Sequence, residues 1–196
     1  MSKPQSADQP KPVSRPMATG LAILASLIRW IPHGWNFTPT YAVEVFAGAR
    51  MRAWHALALA LGFRAITDLG IMLFPFPGQE GTARLFLAMM PWIYVSVIAN
   101  VFLGRLLKNT ESPWMIGGIA VLASVQFYLL SNFGSWLVMP TYEKTVTGLL
   151  ECYWMGLPWF RPTLIANLVF VPVLFGAHAL LARLAFPRER VVVAAA

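Results

Sequence analysis

The sequence predicts an all-α integral membrane protein: a six-transmembrane-helix bundle with its N- and C-termini on the cytoplasmic side. Three observations predict it. Of 196 residues, 58% are apolar and only 12% charged, a balance foreign to soluble domains. The apolar residues gather into runs separated by Pro, Gly, Asn and charge. A span takes roughly 20 residues, so the chain has room for about six spans and none for a separate soluble domain. Lysines and arginines then sort to one side of those runs, as membrane topology requires.

A polar, Pro-rich opening, MSKPQSADQPKPVSRP, reads as a disordered cytoplasmic tail over 1–16. The apolar run after it lacks a small-x-small cleavage site before more apolar chain, so it is a retained helix, not a signal peptide. This first helix is expected over 17–31. It stops at PHGWNFTP, residues 32–39, whose two prolines cannot continue a helix. A short second helix follows over 40–50, then a third over 53–74, ended by Pro75-Phe76-Pro77-Gly78. The fourth is expected over 84–107, the fifth over 114–138 and the sixth over 163–185. Between the last two, residues 140–162 are long enough for an amphipathic helix or a re-entrant segment. No internal repeat stands out. The membrane domain is thus drawn over 17–186, with a cytoplasmic tail over 187–196.

With the N-terminus inside, the cytoplasmic basic set is Lys3, Lys11, Arg15, Arg50, Arg52, Arg105, Lys108, Arg183, Arg188 and Arg190. The outer set is Arg84, Lys144 and Arg161. That asymmetry orients the bundle, and dispersed charge of this kind excludes a nucleic-acid face. Tryptophans sort the other way: Trp30, Trp35, Trp92, Trp136, Trp154 and Trp159 fall toward the outer side. A hydrophobic outer rim or an aromatic-lined pocket opening outward accounts for the excess.

Four ionisable residues, Arg29, Glu44, Arg64 and Asp68, fall inside expected spans. Charge within a membrane is costly and marks either a functional site or an internal partner. Arg64 and Asp68 are four residues apart on one helix and face the same way; Arg29 and Glu44 flank PHGWNFTP and are placed to pair across it. Two readings stand, structural ion pairs that fix helix packing or the frame of an outer cavity. Asn36, Thr38, Tyr94, Gln126, Asn132, Tyr142, Glu143, Tyr153 and Asn167 share the same predicted depth. His33, His55 and His178 fall at different depths, which argues against a three-ligand metal site. Cys152 has no histidine close by in sequence and reads as an inert thiol; with no phosphate-cradling loop, the chain is not expected to be an enzyme, and no cofactor is expected. On the first helix Ala18, Ala22 and Ser26 form a small-residue stripe suited to docking a partner or another helix of the same bundle.

Arg29 to Pro39 (R-x-x-P-H-x-x-N-F-T-P), Phe46-Ala47-Gly48, Asp68-Leu69-Gly70, Ser131-Asn132-Phe133-Gly134-x-Trp136, Thr147-Gly148-Leu149-x-x-Cys152-Tyr153 and Leu157-Pro158-Trp159-Phe160 together resemble an uncharacterised bacterial family of six-helix membrane proteins. That family is similar in architecture to the substrate-binding (S) components of energy-coupling-factor transporters. The resemblance covers residues 17 to 185, with Trp35 where the family's usual proline precedes the asparagine. It implies a bacterial cytoplasmic-membrane protein with a vitamin-sized outer pocket, closed by PHGWNFTP and FPFPGQEG. It also implies docking on a transmembrane coupling subunit with ATPases, for which Ala18 and Ala22 are the matching residues.

The function expected on these grounds is uptake of a small, vitamin-like nutrient. Trp35, Asn36, Thr38, Asn132, Trp136, Tyr153 and Trp159 would line the pocket, with Arg64 and Asp68 orienting the ligand. The alternative is a non-transporting scaffold or assembly subunit of a larger membrane complex.

Overall fold

Apolar runs punctuated by proline and glycine fold into helices in the computed structural model, which describes residues 16–28, 36–73 and 83–191. Six α-helices lie among the described residues: α1 (Pro16–Leu27), α2 (Thr40–Arg50), α3 (Ala53–Leu73), α4 (Ala83–Arg105), α5 (Pro113–Val138) and α6 (Val146–Leu184). A 3-10 turn, Pro187–Glu189, follows α6, and the described residues contain no strand. Three stretches are long and apolar enough to cross a membrane: Leu87–Arg105, Pro113–Val138 and Val146–Leu184. Described α1 and α2, at 12 and 11 residues, fall short of the roughly 20 that a span needs.

Helix α2 is the axis of the bundle. Every residue from Tyr41 to Arg50 is buried, and α2 packs against each of the other five helices. Its closest neighbour is α4, which runs parallel to it, and the two share a short repeat, Val45-Phe46-x-Gly48 and Val101-Phe102-x-Gly104. A Cβ on Gly48 would sit 2.0 Å from the Val101 carbonyl oxygen, and one on Gly104 would sit 2.0 Å from that of Val45. Only glycine lets the two backbones meet this way. Ends are exchanged too: buried Arg50 donates to the Leu107 and Thr110 carbonyls at 2.8 and 3.1 Å, and Arg105 donates to Met51 O at 3.0 Å. Each arginine thereby bonds carbonyls just past the other helix's C-terminus. Arg50, expected among the cytoplasmic basic residues, is consumed inside the fold and also lies 4.6 Å above the Phe175 ring.

Helix α1 seats its small face inward. Ala18 and Ala22 are fully buried, Ala25 and Ser26 nearly so, in the core shared with α2, α5 and α6. The alanines of the stripe thus pack within the chain's own core. The N-terminus of α1 is closed from far along the sequence. Glu189 accepts from Met17 N at 2.9 Å and Ala18 N at 3.2 Å, and His178 Nε2 lies 3.7 Å from the same carboxylate. Residues 187–189, expected to begin a tail, fold back as a cap.

The largest departure from expectation is α6. The sixth helix was expected from 163; instead it begins at Val146 and runs for 39 residues, about 58 Å at 1.5 Å per residue. Pro158, Pro162 and Pro172 lie inside it. Proline removes a donor and opens the ladder four residues back, yet the helix is continuous through all three. Next to the Pro158 carbonyl that Pro162 leaves without its helical donor, Trp159 O accepts from Thr163 Oγ1 at 3.0 Å and from Asn36 Nδ2 at 3.4 Å. Thr145 caps the start, accepting from Gly148 N at 3.2 Å.

Candidate functional site

Midway along α2, α4 and α5 a chain of buried polar side chains crosses the bundle. Asn100 Nδ2 donates to Glu44 Oε2 at 2.7 Å, and Gln126 Nε2 donates to Asn100 Oδ1 at 2.6 Å. Gln126 and Ser96 exchange bonds, Nε2 to Oγ at 2.9 Å and Oγ to Oε1 at 3.2 Å. Glu44, Ser96 and Asn100 are essentially without solvent. A second link, Asn167 Nδ2 to Ser124 Oγ at 2.8 Å, ties α6 to α5. In so apolar a setting each such group must be hydrogen-bonded to be tolerated.

On the other flank of Glu44, Arg64 Nε donates to Asp68 Oδ2 at 2.8 Å, and both side chains are buried. The i,i+4 spacing brings the two together, as the sequence implied. Between these groups lies a cavity of about 20 Å³, lined by Ser26, Thr40, Val43, Glu44, Leu59, Ala60, Phe63 and Arg64. That is room for about one water molecule. Two opposite formal charges, two hydroxyls and apolar walls thus meet at the junction of α1, α2 and α3.

The other expected site residues lie elsewhere. Asn36, the one non-glycine residue with positive φ (57°) among those described, reaches Trp159 O as noted. Thr38 is buried, its hydroxyl 2.8 Å from that of Thr40 at the start of α2. Asn132, Trp136 and Tyr153 form the α5–α6 seam, and each spends its donor on a backbone carbonyl. Asn132 Nδ2 bonds Tyr128 O (2.8 Å), Trp136 Nε1 bonds Glu143 O (2.7 Å) and Tyr153 OH bonds Leu129 O (3.1 Å). Tyr128 OH in turn donates to Tyr153 O. Lys144 closes the C-terminus of α5, donating to Met139 O at 2.7 Å and Tyr142 O at 3.0 Å. Cys152 is buried, its thiol 3.3 Å from Asn132 O. Next to it, burial pushes the Tyr142 phenol above its ordinary pKa, with the thiol and the Glu151 carboxylate adding to the shift. Trp159 is 48% exposed. Arg29, Trp35 and the rest of 32–35, and FPFPGQEG at 74–81, lie outside the described residues, as does the expected Arg29–Glu44 pairing.

Three contributors to the polar core, Ser96, Asn100 and Ser124, were not singled out by sequence reading, and Thr40 was missed in the cavity. The signal for Asn100 was present: it precedes Val101-Phe102-x-Gly104 as Glu44 precedes Val45-Phe46-x-Gly48.

A family model described as a family of unknown function (DUF6580) aligns with residues 11–189. The chain belongs to the DUF6580 family. No curated protein and no solved structure matches it. The DUF6580 match spans the whole polar core, from Ser26 to Asn167, and also Glu189, whose carboxylate closes α1. The core and the cap thus lie within the family domain.

Proposed function

We propose that this DUF6580 protein is a membrane substrate-binding protein serving uptake of a small, polar, vitamin-sized nutrient. In this reading it forms a six-span bundle in a bacterial cytoplasmic membrane, both termini cytoplasmic, on the plan of transporter S components. The observation that carries it is the cavity between Glu44 and Arg64. Ionisable groups held deep among apolar helices are costly, and here two of opposite sign, Glu44 bonded by Asn100 and Arg64 bonded to Asp68, line one common space. At about 20 Å³ the cavity has room for about one water molecule, so solute binding requires the surrounding helices to part.

The saturation of the α5–α6 seam favours a second reading, a scaffold subunit. Asn132, Trp136 and Tyr153 all point their donors at backbone, which is what a rigid interaction module needs. Native mass spectrometry of the protein in mild detergent separates the two. A retained small molecule, lost in Glu44→Gln while the fold persists, supports solute binding. A bare chain held stoichiometrically by another membrane protein, with no ATP-binding subunit present, rejects it in favour of the scaffold.

A further inference from the structure

We infer that the turns joining α2 to α3 and α4 to α5 form a binding surface for an anionic phospholipid, its phosphate held by Arg52 and Lys108 and its chains lying along α4 and α5. A surface of this kind is compatible with solute uptake and with a scaffold role alike.

The surface is built from two stretches of like plan. Gly48-Ala49-Arg50-Met51-Arg52 closes α2 and opens, at Trp54, into α3; Gly104-Arg105-Leu106-Leu107-Lys108 closes α4 and opens, at Trp114, into α5. In each, the first arginine turns to the other turn's backbone. Arg50 Nη1 donates to Leu107 O at 2.8 Å and Nη2 to Thr110 O at 3.1 Å, while Arg105 Nη1 donates to Met51 O at 3.0 Å. The two turns are thereby stitched together. The second cation of each is left outside: Arg52 and Lys108 are exposed, and no ion pair engages either side chain among the described residues.

The acids at this end are committed elsewhere. Glu111, in the same turn as Lys108, is met by Arg183 of α6 at 3.4 Å, and Glu189 is buried against the first turn of α1. Two cations on adjoining turns are thus left to an anion from outside. A phosphate answers both, and the arginine fork takes it through two parallel bonds.

Depth decides which phosphate. Leu87–Arg105 and Pro113–Val138 are each long and apolar enough to cross a membrane, so the turn between them emerges at the membrane surface, where phospholipid phosphates lie. Trp54 and Trp114, 60% and 88% exposed, mark the same level, since indole rings settle at the headgroup boundary. Bordering the turns, Phe102 and Leu106 on the α4 side and Met115 on α5 are exposed and offer apolar surface to acyl chains. A soluble phosphate would leave that border unused, and a zwitterionic phospholipid would bring a cation of its own against Arg52 and Lys108. An anionic phospholipid matches both the charge and the apolar border.

The test is lipid titration of the purified full-length protein in neutral detergent, read by native mass spectrometry. Phosphatidylglycerol and phosphatidylcholine with the same chains are added in separate series. Phosphatidylglycerol should bind at least about tenfold tighter, since each basic side chain near an anionic headgroup is worth about fivefold. Arg52→Gln and Lys108→Gln should each remove about fivefold, and together they should abolish the preference. Arg161→Gln, which removes an exposed cation elsewhere on α6, should leave it intact. Glycerol 3-phosphate at the same concentration should not compete. A photoactivatable phosphatidylglycerol added to the unaltered protein should label residues 102–115, which reads the site without any variant. Equal binding of the two lipids overturns the inference, as does a preference that survives the double substitution or falls equally with Arg161→Gln. Competition by the soluble phosphate, or labelling confined to other segments, overturns it too. An acidic membrane protein held at this end without any lipid preference would make the surface a protein-docking site and reject the lipid.

Discussion

Asn36 shows how a residue chosen as a ligand contact can serve the backbone first. Its φ of 57° lies in the left-handed region, where a Cβ costs roughly 1–2 kcal/mol and asparagine and glycine are the usual occupants. Its amide reaches Trp159 O only at 3.4 Å and in an exposed setting, so that bond contributes little. Asn36→Gly should therefore stay within about 0.5 kcal/mol of the parent, whereas Asn36→Ala should lose about 1 kcal/mol, measured by thermal or denaturant unfolding in micelles. Equal stability of the two variants would show that backbone conformation is not what the position selects. From sequence, Asn between Trp and Phe in a proline-bounded insert signalled a special residue; it gave no means of telling a backbone requirement from a binding one. Arg64 and Asp68 were more legible, because spacing on a helix determines which side chains meet. Arg50 was less so: the count of basic residues assigned it only a side of the bundle, and the cap it forms past α4 depends on a neighbour 57 residues away.

At the scale of elements, α2 and α4 meet backbone against backbone. With Cβ positions 2.0 Å from a carbonyl oxygen on each side, neither glycine can be enlarged unless the helices separate. A backbone atom cannot swing aside as a side chain can. Gly48→Ala and Gly104→Ala are each expected to cost about 3 kcal/mol or more, seen as a large drop in melting temperature or loss of folded protein. Gly117→Ala, where a Cβ meets nothing within 4 Å, is the control and should be neutral or slightly stabilising through better helix propensity. The double variant should cost less than the sum, since the first methyl already parts the helices for the second; strict additivity would mean that the two contacts are independent. Helices α2 and α5 were legible to within a residue, because Pro, Gly and charge bracket them. The start of α6 was not. Prolines at 158 and 162 read as breakers, and whether they break a helix depends on which neighbours collect the released carbonyls. The α2–α4 repeat escaped notice because its few shared residues are common ones, and their meaning appears only when the helices lie side by side.

For the molecule as a whole, sequence indicated that charge would be buried and that it would lie near Glu44, Arg64 and Asp68. It did not indicate the route by which that charge is tied to the rest of the bundle. That route is the relay Glu44–Asn100–Gln126–Ser96, which joins α2, α4 and α5. Asn100 is its centre, donating to a carboxylate and accepting from an amide. Truncating Asn100 removes a partner from both neighbours; truncating Gln126 removes one from Asn100 and from Ser96. If the relay acts as a unit, the second truncation should cost less once the first has been made. For polar contacts between membrane helices the coupling averages about 0.6 kcal/mol and reaches about 1.7. The Asn100–Gln126 bond is short, 2.6 Å, and both amides carry further bonds in the relay, which places it toward the upper end of that range. A double-mutant cycle with Asn100→Ala and Gln126→Ala, read by unfolding in mixed micelles, should therefore give a coupling of about 1 kcal/mol or more. The same variants should weaken any retained solute, because Asn100 holds one oxygen of Glu44 and so sets where its carboxylate points. Stabilities that add within about 0.3 kcal/mol would reduce the relay to separate, independent bonds, and Glu44 would then be positioned by the α1–α3 side of the cavity alone.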